Sequence, residues 1–122
     1  MDWGWLICGE YCRKLTEQDY GWLALMTKKD RNEVLWVGLA VDQDGHAVLP
    51  ENLAVAVTDL ADRKMVGAVL EARAQMLACK LVNACDTDWI DCEDALSASM
   101  VEIQHLIENW LRSKWAAMQG SI

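Results

Sequence analysis

Pro50, the only proline in this 122-residue chain, separates two kinds of sequence. Before it, apolar side chains gather in short runs suited to extended backbone. After it they recur at helical spacing. Proline has no N–H and a fixed φ, so a strand or helix that reaches Pro50 must end there. No repeat, low-complexity tract or flexible linker accompanies this boundary. Residues 1–122 therefore read as a single domain with one core.

The segment from Asp2 to Leu15 supports two readings. Trp3, Ile7 and Tyr11 recur every four residues, as on a helix face, while Trp3, Trp5 and Ile7 alternate, as in a strand. The next stretch also offers two: a helix capped at Thr16 with Leu15 and Tyr20 as a hydrophobic staple, or a strand with Tyr20, Trp22, Ala24 and Met26 on one side. The run Val34–Val41 is rich in β-branched and aromatic residues. Asp42-Gln43-Asp44-Gly45 follows as a hairpin turn, with His46–Leu49 returning. The preferred reading is an antiparallel meander over residues 20–49.

Beyond Pro50, a short helix is expected at Leu53–Leu60 and a long one at Ala61–Ala84, striped by Val66, Leu70, Leu77 and Leu81. A last helix is expected from Cys92 to Met118, burying Leu96, Met100, Ile103, Ile107, Trp110, Leu111 and Met118. The fold class expected is α+β, a small antiparallel β-meander packed with a helix-dominated C-terminal half.

Charge supplies the functional clue. The chain carries a net charge of -8, and residues 81–111 hold seven carboxylates with no lysine or arginine. Five of them (Asp86, Asp88, Asp91, Glu93 and Asp94) surround Trp89 and Ile90 within nine residues. Such a field attracts basic partners and repels nucleic-acid backbones and anionic membranes, so neither nucleic acid nor membrane is an expected partner. The longest apolar run, Val34–Val41, is too short to span a bilayer. Five cysteines at irregular spacing make no disulfide framework, and reduced thiols in a cytoplasmic protein are expected. The seven tryptophans exceed what so small a core encloses, and one or two should be partly exposed.

The acidic patch has two explanations. It is a docking surface formed by Asp86, Asp88, Trp89, Ile90, Asp91, Glu93 and Asp94, with the apolar pair as anchors. Alternatively, Asp91, Glu93 and Asp94 simply complement the dipole of the last helix. Counting a calcium loop from Asp86 puts Asp91 and Ser97 where glycine and glutamate belong, so the comparison fails. Cys79, Cys85 and Cys92 lack zinc-site spacing, and Cys8 with Cys12 would share a helix face beside Arg13 and Lys14, which could activate a thiol. Glu102 and His105 have the Glu-x-x-His spacing of di-iron bundles without the second half of such a site. With two histidines, no nucleophile elbow and no phosphate loop, no enzyme, metal or cofactor is expected.

The reading that remains is a non-enzymatic protein-binding module whose acidic, Trp-bearing face meets a basic surface on a protein partner. Inhibitors carried by phages and mobile elements, and toxin-immunity proteins, commonly have this profile, so an inhibitor of the anti-defence or immunity type is the leading concrete form. The order of N-terminal segment, meander and C-terminal helix resembles secretion chaperones of the type III systems, although those place more strands before the last helix. That resemblance implies an acidic homodimeric chaperone or adaptor. A small-molecule or metal-binding protein is a further alternative. Self-association as a homodimer is expected through Trp110, Leu111, Trp115 and Met118, more apolar surface than one core face needs.

Overall fold

The meander expected over residues 20–49 does not form. In the computed structural model, which describes residues 1–120, this region begins as a helix. α1 (Leu6–Lys14) and α2 (Tyr20–Asp30) come first, then extended chain with two isolated bridges, Asp2 to Val37 (parallel) and Val41 to Ala47 (antiparallel). The apolar residues of Tyr20–Met26 lie on both sides of a strand template, so alternation alone could not exclude a helix. The turn at Asp42–Gly45 does form. Asp42 accepts from the N–H groups of Asp44 and His46 at 2.9 and 3.0 Å, and Gly45 takes φ of 82°.

α1 is started by a residue outside it. Asp2, 0% exposed, accepts from the backbone N–H of Leu6 at 3.0 Å and of Ile7 at 2.8 Å. A carboxylate there satisfies otherwise orphaned donors and faces the positive end of the helix dipole. Just before α1, Trp5 takes φ 64°, and Trp3 and Trp5 face solvent, with Trp3 stacked on Trp36 at 5.2 Å.

After Pro50, whose carbonyl accepts from Leu53 and Ala54, come α3 (Glu51–Ala56), a 3₁₀ turn (Leu60–Asp62) and α4 (Arg63–Ala74). β1 (Leu81–Asn83), α5 (Asp88–Asp91), α6 (Glu93–Ala98), β2 (Ile103–His105) and α7 (Glu108–Gly120) complete the chain. β1 and β2 pair in parallel, Leu81 opposite Ile103 and Asn83 opposite His105, because α5 and α6 carry the chain back between them. The long helix expected over 61–84 thus ends at Ala74, and the one expected over 92–118 is split by β2. Among the described residues there are seven α-helices and one two-stranded parallel sheet, in place of a meander with a helical half.

Two of these interruptions share a cause. Met76 and Met100 take φ of 62° just beyond α4 and α6. The N–H of the next residue then reaches back five positions, Leu77 to Ala72 at 3.1 Å and Val101 to Leu96 at 2.8 Å. This is the Schellman termination, with methionine in the place glycine usually holds.

The core gathers Leu49, Leu53, Val57, Val66, Val69, Trp89, Cys92, Leu96 and Val101. Leu111 of α7 is also fully enclosed. No helix among the described residues is long and apolar enough to cross a membrane.

Candidate acidic recognition site

The nine-residue acidic segment is divided by the fold into a neutralised part and an open part. Glu93, at the start of α6, takes two hydrogen bonds from the Arg112 guanidinium at 2.8 and 3.1 Å, and its Oε2 lies 3.2 Å from His105 Nε2. The guanidinium, helped by His105, holds the Glu93 carboxyl below the usual carboxylate range. Arg112 also bonds Glu108 at 3.0 Å, an i,i+4 pair one turn apart on α7. Asp91 accepts from the Trp115 indole N–H at 2.7 Å.

His105 lies in β2, within the span expected as the last helix, and its side chain is only 4% exposed. Its Nδ1 stands 3.1 Å from Asn83 Nδ2. The orientation of the Asn83 amide is fixed because Oδ1 accepts from Asp86 N–H at 3.0 Å and Nδ2 donates to Asp86 C=O at 2.9 Å. His105 Nδ1 must therefore accept, which leaves the proton on Nε2, directed at Glu93. Asn83 thereby ties the Asp86 turn to the sheet. Sequence reasoning passed over this buried asparagine, whose one legible signal was a polar residue closing an apolar strand.

Asp86 and Asp88 are left on the open side, and two carboxylates from another segment join them. Asp59 precedes the 3₁₀ turn and Asp62 ends it. One carboxylate oxygen each from Asp59, Asp62 and Asp88 lies within 4.8 Å of the others. Among the described residues no lysine or arginine forms an ion pair with Asp59, Asp62, Asp86 or Asp88. Burial, followed by the charges of Asp59, Asp86 and Asp88, pushes Asp62 up to about 6. Asp88 is raised mainly by Asp86. Three carboxylate oxygens at that spacing are of the type a hard cation such as calcium takes, whereas Asp42, Asp44 and His46 at the surface turn bring together two carboxylates and a ring nitrogen, which does not suit calcium. Asp59 and Asp62 lay outside the segment that the charge map singled out, and no sequence spacing links them to Asp88.

Trp89 and Ile90, expected as exposed anchors of the patch, are both placed in the core. Asp94 is exposed on α6. Of the residues expected at a dimer contact, Leu111 is enclosed within its own chain and Trp115 bonds Asp91, while Trp110 and Met118 are exposed. All five cysteines are free thiols. Burial raises the Cys8 thiol, with Cys12 adding to it, and raises Cys92 to about 11, so neither is an activated nucleophile.

A cleft of about 440 Å³ opens beside the carboxylates, with Ile7, Leu35, Met65, Val69, Leu81 and Trp89 in its walls. Asp62 lines this cleft and also a small hollow of about 30 Å³ shared with Asp59, Asp88 and Asp91. No family model, curated protein or solved structure matches this chain.

Proposed function

We propose that this protein is a non-enzymatic binding module whose acidic surface engages a basic site on a protein partner, an inhibitor being its leading concrete form. One observation carries the reading: Asp59, Asp62, Asp86 and Asp88 converge from two segments and, among the described residues, none of them is held in an ion pair by a lysine or arginine. Burial of Asp62 and the gathering of like charges around it and Asp88 both disfavour the ionised carboxylates, so a cation supplied from outside would be stabilised there. Glu93 provides the contrast, since its charge is consumed by Arg112 inside the molecule.

The test is capture of the partner from the native host, followed by titration against Asp86→Lys/Asp88→Lys at two salt concentrations. Affinity should fall at least tenfold for the double reversal and should weaken with added salt for the parent. Equal affinity of parent and variant, with both folded, would reject the acidic surface as the binding face. A second reading, a homodimeric adaptor, rests on Leu106, Ile107 and Trp110, which stand exposed around the start of α7. Light scattering at high micromolar concentration decides it, and a monomeric mass removes it.

A further inference from the structure

The apolar cleft and the carboxylates meet at Asp62, which lines both the cleft and the hollow containing Asp59 and Asp88. A cavity of about 440 Å³ is in the size range that encloses a ligand group. Its walls are aliphatic on the α4 side (Met65, Ala68 and Val69) and again at β1 (Leu81 and Val82), whereas its Asp62 end is acidic. An apolar pocket whose anionic end has no ion-pair partner among the described residues is complementary to an apolar group with a cation beside it, although Met1 and Lys80 also line the cleft.

We infer that the cleft and the carboxylates form one recognition site for a partner segment in which an apolar side chain neighbours a lysine or arginine. This rests on the acidic-surface reading and specifies it. The apolar side chain enters between α4 and β1 and loses its contact with water, while the cation lies among Asp59, Asp62 and Asp88. An arginine would use its fork on two carboxylates at once. Lys64, whose Nζ is held by Glu10 at 3.1 Å and by the Ala61 carbonyl, is the positive group opposing Asp62. Its bond to Glu10 keeps it from occupying the cluster. Lys80, also in the cleft lining, is exposed.

Three fluorescent hexapeptides test this, alike except for the central pair: Leu-Arg, Ser-Arg and Leu-Gln. An oligolysine probe reports the acidic surface alone. The Leu-Arg peptide should bind at least tenfold more tightly than either other peptide. Ala68→Leu, which fills the cleft, and Val82→Asn, a neutral polar change at an exposed position on its edge, should each weaken Leu-Arg binding at least fivefold while leaving oligolysine binding within twofold. Two variants of different character are used so that misfolding of one, read by circular dichroism, leaves the other decisive. Leu-Arg affinity should also rise severalfold between pH 5 and pH 7, as Asp62 loses its proton amid Asp59, Asp86 and Asp88. If oligolysine binds but Leu-Arg and Ser-Arg peptides bind alike, the cleft has no part and the inference fails while the acidic surface stands. If no probe binds, both fall.

Discussion

The core cluster is drawn entirely from Leu49 onward, whereas α2 in the first forty-eight residues has no buried side chain. The early region attaches through a few points: Ile7, Cys8, Val37 and Ala47 are buried, and Lys64 of α4 reaches Glu10. Most of the exposed indole surface is also here, in Trp3 and Trp5, with Lys29 lying 5.4 Å over the Trp5 ring. Two regions of similar apolar content thus differ in what their apolar residues do. From Leu49 on they exclude water from one another, and before it many remain on the surface. The lesson is that hydrophobic content does not locate a core; convergence of several elements on one point does.

Four substitutions probe that contrast, beginning with the largest effect. Leu96→Ala should cost about 2–5 kcal/mol in denaturant unfolding, since Leu96 is fully enclosed at the centre of the core. A cost as small as that of a surface change would mean the later region is not the stabilising one. Asp2→Ala should cost about 1–3 kcal/mol by leaving two N–H groups of α1 unsatisfied. Hydrogen exchange should then quicken in α1 before α4, and uniform quickening would show that the two regions open as one. Met76→Gly should stabilise by about 1 kcal/mol, because Met76 is exposed and holds a left-handed conformation that glycine adopts freely. A lowered Tm would contradict that account of the end of α4. Leu23→Ser on α2 should change stability by less than about 0.5 kcal/mol, and a larger loss would mean α2 is packed after all.

The same two methionines explain much of what the sequence concealed. A glycine at position 76 or 100 would have announced a helix stop, and methionine announces continuation. The apolar period read through both sites, so two long helices were expected where shorter helices and the two strands stand. The turn at Asp42–Gly45 was legible because its chemistry is local: an aspartate that bonds its own backbone and a glycine at positive φ. Val34–Val41 reads as a strand from composition, but pairing needs neighbours, and Tyr20–Asp30 is a helix. At the candidate site, the acidity of Asp86 and Asp88, ahead of the helix expected from Cys92, is legible in the sequence. Their meeting with Asp59 and Asp62 depends on tertiary packing across some two dozen residues. The core placement of Trp89 was hidden for a related reason, as the charges on either side of it suggested solvent.

That placement gives the molecule a built-in optical reporter. Trp89 is the one buried indole among the described residues, and it forms part of the cleft wall next to Asp88. The other six indoles have at least partial access to solvent. A small aqueous quencher should therefore silence those six first and leave a residual blue-shifted emission from Trp89. Filling the cleft would change that residual signal directly, so occupancy could be followed in the unlabelled protein by its own fluorescence.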